Sequence, residues 1–185
     1  MSQRTDFWIN AIVFELVWLA AVGGAGHDLW WAGPLALSVF FGYQVHNSPL
    51  ARADGMLVTL ACVVGLLADS LLARSGLVVY AAAVPSAQWA PLWIVALWAN
   101  LALTLNHSLA FLQQRLALAA LLGASAAPLS YFFAEHAWHA VVLAPPLATT
   151  LLALAAIWAL LMPLLVVAAR RWRRQSMSSN AGTSS

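Results

Sequence analysis

The chain of 185 residues has no lysine, one cysteine and little charge of either sign. Charged residues make up 8%, against roughly a quarter of an average soluble domain. Hydrophobic residues make up 63%, and mean hydropathy is +0.84. A water-soluble fold this short cannot hide that much apolar side chain, because much of any small domain faces water. The shortage of charge therefore argues against a soluble enzyme, a nucleic-acid binder and a disordered chain. The lone Cys62 rules out an intrachain disulfide and a zinc-type cysteine pair. Glycine-rich phosphate loops, G-x-S-x-G and H-E-x-x-H are all missing. Without a nucleotide motif, any pumping needs a partner or an ion gradient.

What charge there is has a pattern. All eight basic residues are arginine: Arg4, Arg52, Arg74, Arg115, Arg170, Arg171, Arg173 and Arg174. The acids are Asp6, Glu15, Asp28, Asp54, Asp69 and Glu135. The pI near 9.2 comes mainly from the last four arginines, which directly follow an apolar run. Such a cluster reads as a cytoplasmic anchor against anionic headgroups, not as a nucleic-acid face.

A spanning helix needs about 20 mostly apolar residues. Six runs qualify: Phe7 to Gly24, Trp30 to His46, Gly55 to Ala73, Pro91 to Leu112, Leu116 to Phe133 and Pro145 to Ala169. The expectation is an all-α polytopic transmembrane helix bundle of about six spans, a single domain over residues 1–174. The polar tail, residues 175–185, is expected to be a disordered cytoplasmic segment. Leu77 to Val84 is too short to span and reads as an interfacial or re-entrant piece. With N- and C-termini inside, every arginine except Arg74 falls on the cytoplasmic side, as the positive-inside rule asks. Gly23-Gly24-Ala25 could pass for a signal cleavage site, but Asp6 and Glu15 fit a signal peptide badly.

Ionisable side chains inside a bilayer are costly, about 2.5–3.5 kcal/mol at mid-helix on insertion scales. Glu15 and Asp69 are therefore leads, together with the polar fourth span. On a continuous helix, Asn100, Thr104, His107 and Ser108 share an arc of about 100°, and Asn106 points elsewhere. Their bland reading is interhelical hydrogen bonding. Their functional reading is a ligand-binding pocket lined by Glu15, Asp69, Asn100, Thr104, Asn106, His107 and Ser108. Arg74 is a poor helical partner for Asp69 at a five-residue offset. Asp69 then needs a partner on span four or five.

Two cofactor ideas are weaker. His27, Asp28, Glu135, His136 and His139 fall on one face of the membrane and could converge on a metal, although exposed polar loops need no such reason. His46 and His107 lie toward the cytoplasmic face and could hold a haem between them. No cofactor is expected as the main reading.

At span four, APLWIVALWANLALTLNHSLAFLQ resembles a small proteobacterial inner-membrane family catalogued as a domain of unknown function. FWINAIVFELVWLAAVGGAG, GLLADSLLARSGL and GASAAPLSYFFA fit as well, and T-L-N-H-S-L is the most specific piece. The resemblance implies a bacterial cell inner-membrane location and association with lipid-modifying neighbours. It implies no activity, substrate or catalytic residue.

Three functions follow as expectations. The first is binding or moving a membrane lipid or other small amphiphilic molecule in an intramembrane pocket. The second is a membrane-embedded enzyme or accessory subunit in lipid modification, with His107 as base and Asp69 or Glu15 as orienting acid. The third is docking to a membrane-protein partner or a second copy through an outward-facing Asn100 stripe.

Overall fold

The structure, a computed structural model, describes residues 3–182. Six helices run through it: α1 (Gln3–Gly26), α2 (Ala32–Asn47), α3 (Ala51–Arg74), α4 (Leu92–Ala102), α5 (Leu116–His136) and α6 (Leu147–Gly182). Four of them, α1, α3, α5 and α6, are long and apolar enough to cross a membrane. At about 1.5 Å per residue, α2 is about 24 Å long and α4 about 17 Å. Large apolar side chains point away from the bundle on every long helix: Leu67 is 63% exposed, Leu121 64% and Leu160 74%. A chain in water would not present such faces together. The arrangement is that of a helical membrane bundle.

α4 stands in the middle, packed on α1, α2 and α3, while α6 bridges α3 to α5. The inward face of α1 follows the helical period. Asn10, Val17, Ala21, Val22 and Ala25 are buried, and Glu15, Leu16 and Leu19 are exposed.

Two expectations about the chain's path need correction. The segment Leu77 to Val84 is not re-entrant. It contains β1 (Val78–Tyr80), which pairs antiparallel with β2 (Val141–Leu143) in the register Val78 to Leu143 and Tyr80 to Val141. Val78, Tyr80, Val141 and Leu143 are buried and Val79 and Val142 exposed, the period-2 pattern of a strand with one covered face. The segment read as a disordered tail from Gln175 is helical as far as Gly182, and residues 183–185 lie outside the described residues. Once α6 is nucleated by its apolar turns, each further residue adds a bond to an existing ladder, and Arg, Gln and Met propagate it well.

The β1–β2 ribbon ties the α3–α4 connection to the α5–α6 connection, and Ala81 N–H extends it by donating to Ala140 O at 2.8 Å. The end of α1 joins the same cluster. A Cβ on Gly26 would lie 1.9 Å from the Trp138 carbonyl, so only glycine lets the two backbones meet there. Three connections thus gather at one end of the bundle. At that end Arg74 donates to Gln88 O at 3.2 Å and lies over the Trp89 ring. Arg170 is at the other end, donating to Gln113 O at 3.3 Å.

Candidate functional site

The fourth span is not one helix. α4 ends at Ala102, turns follow, and a single 3₁₀ turn covers Ala110–Gln114. The physical reason lies in the polar run itself, because Thr, Asn and Ser side chains compete with the helical ladder for backbone groups. Thr104 Oγ donates to Leu101 O at 2.7 Å. Asn10 on α1 donates to Leu103 O at 3.0 Å, and its own oxygen accepts from Ser108 Oγ at 2.6 Å and Ser108 N at 3.3 Å. Gln113 donates to Leu105 O at 2.9 Å. Irregular backbone at membrane depth is tolerated only where protein satisfies it. Here α1 and the 3₁₀ turn do so.

Unwinding after Ala102 sends the polar side chains to separate partners. Asn106 donates to Asp54 Oδ1 at 2.9 Å, and its own oxygen accepts from Gln113 at 3.0 Å. His107 Nε2 meets Asp54 Oδ2 at 2.9 Å, and Ser48 Oγ donates to the same oxygen at 3.1 Å. Asp54 is fully buried on the first turn of α3. Three hydrogen-bonding groups converge on it, an arrangement that suits an acceptor-only carboxylate. His107 is the most open of these groups, and it borders a polar cavity of about 230 Å³ with Asp6, Tyr43, Gln44 and Asn47.

A second buried carboxyl lies fifteen residues on along α3, about 22 Å away by helical rise. Asp69 is 1% exposed. Tyr80 from β1 donates to its Oδ1 at 2.7 Å, Tyr131 from α5 donates to the same oxygen, and Trp98 Nε1 from α4 donates to Oδ2 at 2.6 Å. The partner needed on span four or five exists on both. Gly65, one turn before Asp69, makes the Trp98 contact feasible: a Cβ there would lie 2.1 Å from the indole. Trp98 also stacks on Trp158 of α6, centroids 4.2 Å apart. Next to Asp69, Ser70 Oγ accepts from Ala90 N at 2.9 Å and fixes the approach to α4. Burial, followed by the nearby Tyr131 and Asp69, pushes the Tyr80 phenol well above its ordinary range. Tyr80 is thus held as a donor.

Trp98 and Tyr131 belong to a larger feature. They line an apolar cavity of about 310 Å³ in the seam between α1 and α5, walled by Phe14, Trp18, Leu122 and Ala126 among others. Asp69 itself does not border it. The carboxylate takes up the indole N–H and the phenol O–H from behind, so the wall presents ring carbon to the cavity.

The pocket expected from sequence does not form as one chamber. Of its seven residues, only His107 borders either cavity. Glu15 faces outward from α1, since it lies off the Asn10–Phe14–Val17 face that packs inward. Asn100 is buried and donates to Phe14 O at 2.9 Å, which leaves its own oxygen unpartnered. Thr104 and Ser108 are buried in the backbone contacts of the unwound segment. A docking stripe through Asn100 therefore fails, because the stripe faces the interior. The carboxyl that meets His107 is that of Asp54, neither Asp69 nor Glu15.

The other ligand sets fare similarly. Among the described residues, no three His, Cys, Asp or Glu side chains lie close enough to share a metal ion. Glu135 accepts from Leu143 N at 2.7 Å, and His136 is turned to Phe132 O at 2.9 Å and stacked on the Phe132 ring. His27, Asp28 and His139 therefore have no shared centre with them. For haem, Asp54 occupies His107 Nε2, and His46 is exposed at the end of α2.

Sequence reasoning missed Asp54, Asn10, Gln44 and Gln113. Asp54 fell one residue outside the expected third span, next to Arg52, where a carboxyl reads as solvated. The spacing of Asn10 with Val17 and Ala21 on one face of α1 was the available signal.

A family model described as a protein of unknown function (DUF2878) matches residues 7–164. The chain belongs to that family. No curated protein and no solved structure matches it.

Proposed function

We propose that this DUF2878 protein sits in a bacterial inner membrane with both ends in the cytoplasm and holds the hydrocarbon part of a lipid or similar amphiphile in the α1–α5 seam. One observation carries the reading. The seam encloses about 310 Å³, within the roughly 300–1,000 Å³ usual for small-molecule sites, and the polar tips of Trp98 and Tyr131 are tied to Asp69 behind the wall. An apolar chain can enter such a seam sideways from a bilayer, and a polar solute gains nothing there. The orientation rests on the arginines, which place the Asp54–His107 end inside.

The test is retention of lipid by the protein purified in mild detergent and weighed by native mass spectrometry. Ala126 borders the seam from an exposed position on α5, so Ala126→Trp fills its mouth without entering the core. Ser125 is exposed and does not border the seam, so Ser125→Trp is the control. The wild type and the control are expected to carry a lipid adduct that Ala126→Trp lacks. Equal adducts on both variants, or none on the wild type, would overturn the reading.

A second reading, a membrane-embedded enzyme or accessory subunit in lipid modification, is favoured by the imidazole–carboxylate pair beside the polar cavity. A base held by a buried acid is the usual beginning of proton-transfer chemistry.

A further inference from the structure

The polar cavity at the arginine-rich end is a separate feature from the seam, and the fixed charge on its lining is negative, that of Asp6. Two lining residues are already occupied. Asn10 is spent on Leu103 and Ser108. Ser48 Oγ donates to Asp54 and accepts from Leu50 N at 3.0 Å.

The groups left facing the space offer acceptors as well as the O–H of Tyr43 and the amide hydrogens of Gln44 and Asn47. Asn47 donates one of its two amide hydrogens to Tyr43 O at 2.8 Å, which leaves its side-chain oxygen and the second hydrogen free. Asp6 brings a carboxylate, and no arginine borders the cavity. His107 gives Nε2 to Asp54, which leaves Nδ1. Gln44 is the informative residue. The residue is 6% exposed, it borders the cavity, and among the described residues it forms no side-chain hydrogen bond. Its amide opens on the cavity and is not sealed off, so its two hydrogens and its oxygen are available to a guest.

We infer that this cavity binds a small neutral or cationic group rich in hydrogen-bond donors, a polyol or a primary amine, with Gln44 and Asn47 holding it and His107 accepting one of its hydrogens at Nδ1. The Asp54 carboxylate can only accept, so it holds the ring proton on Nε2 and leaves a lone pair on Nδ1. Asn106 and Ser48 hold the carboxylate in turn. The Asp6 carboxylate, with no arginine on the lining to offset it, disfavours phosphate and other anions. The same chemistry is presented by a free polyol or amine and by a lipid headgroup. The inference stands whether or not the seam holds a chain, because no residue borders both cavities.

The test uses the full chain in nanodiscs with ¹⁵N-labelled histidine, read by the imidazole nitrogen shifts. The His107 signals are identified by their loss in His107→Gln. In the neutral ring, His107 is expected to carry its proton on Nε2. Ethanolamine or glycerol added to discs of phosphatidylcholine should shift the Nδ1 signal saturably, and inorganic phosphate should not. If the titrant acts only when supplied as phosphatidylethanolamine or phosphatidylglycerol in the disc, the source is a headgroup; if the free molecule suffices, it is a solute. Gln44→Leu should weaken binding about fivefold to tenfold, the value of one hydrogen bond, without moving the proton from Nε2. Asp54→Asn, which can donate to Nε2, should move the ring proton to Nδ1 and abolish binding. A wild-type ring protonated on Nδ1, phosphate binding as well as ethanolamine, no titrant shifting Nδ1, or unchanged affinity in Gln44→Leu would each overturn the inference.

Discussion

Removing the indole N–H of Trp98 isolates the role assigned to Asp69. Trp98→Phe keeps an aromatic ring in the seam wall and deletes the donor that reaches Asp69 Oδ2 at 2.6 Å. A hydrogen bond to a carboxylate contributes about 1.5–3 kcal/mol. For a chain of this size each kcal/mol moves the melting temperature by about 2–4 °C, so a fall of about 3–12 °C is expected in detergent by far-ultraviolet circular dichroism. Asp69→Ala strands three buried donors, on Tyr80, Tyr131 and Trp98. At about 1–3 kcal/mol each the cost is about 3–9 kcal/mol. The double variant should cost less than the sum of the two, because the indole has nothing to lose once the carboxylate is gone. Lipid retention by Trp98→Phe should stay at the wild-type level, since the lost atom faces away from the seam. An Asp69→Ala protein that melts like the wild type would refute the reasoning. So would lipid loss in Trp98→Phe without loss of stability, which would make these groups ligand contacts.

Other consequences follow from single contacts. Asn10→Ala removes three hydrogen bonds to the unwound segment, and hydrogen exchange over residues 103–109 should speed up at least tenfold, with the rest of the bundle less affected. Gly65→Ala drives a methyl to 2.1 Å from the Trp98 ring, so a loss of about 1–3 kcal/mol is expected from overpacking, read as a lower melting temperature. Glu15→Leu should leave lipid retention and melting temperature unchanged or raise the latter, because the carboxylate faces outward; loss of lipid in that variant would put Glu15 back in a binding site. Burial holds the Tyr80 phenol well above its ordinary value of about 10, so its contribution is whole below that pH. Stability should fall as pH climbs past about 10, where the unfolded phenol ionises first, and a melting series against pH should show a shallower fall in Tyr80→Phe.

The long apolar runs of α1, α3, α5 and α6 are legible in the sequence because uninterrupted hydrocarbon over twenty residues has few other uses. The need of Asp69 for a partner on span four or five is legible for a related reason, since a carboxyl in that setting cannot stay alone. The fourth span was opaque. Its residues are apolar enough to read as one helix, and nothing local announces that Asn10 on a distant helix supplies the contacts that let Thr104 to Ser108 unwind. Helical-wheel reasoning then grouped Asn100, Thr104, His107 and Ser108, whereas the turns after Ala102 send His107 to Asp54 and Ser108 to Asn10. Asp54 gives no signal in the sequence, and Glu15 gives a misleading one. A carboxyl near an expected span end reads as wet, and one at mid-span reads as enclosed. Asp54 is buried by the unwound segment folding over it, and Glu15 is exposed because its side of α1 has no neighbour.

Photocrosslinking locates the proposed chain directly. A phospholipid carrying a diazirine near the middle of one acyl chain would be reconstituted with the wild-type protein, irradiated, and the labelled peptides sequenced. Labelling is expected to concentrate on Phe14, Trp18, Leu122 and Ala126 along the α1–α5 seam, and to leave that seam in Ala126→Trp. Labels spread evenly over outward residues such as Val39, Leu152 and Leu160, with no preference for the seam, would contradict the account.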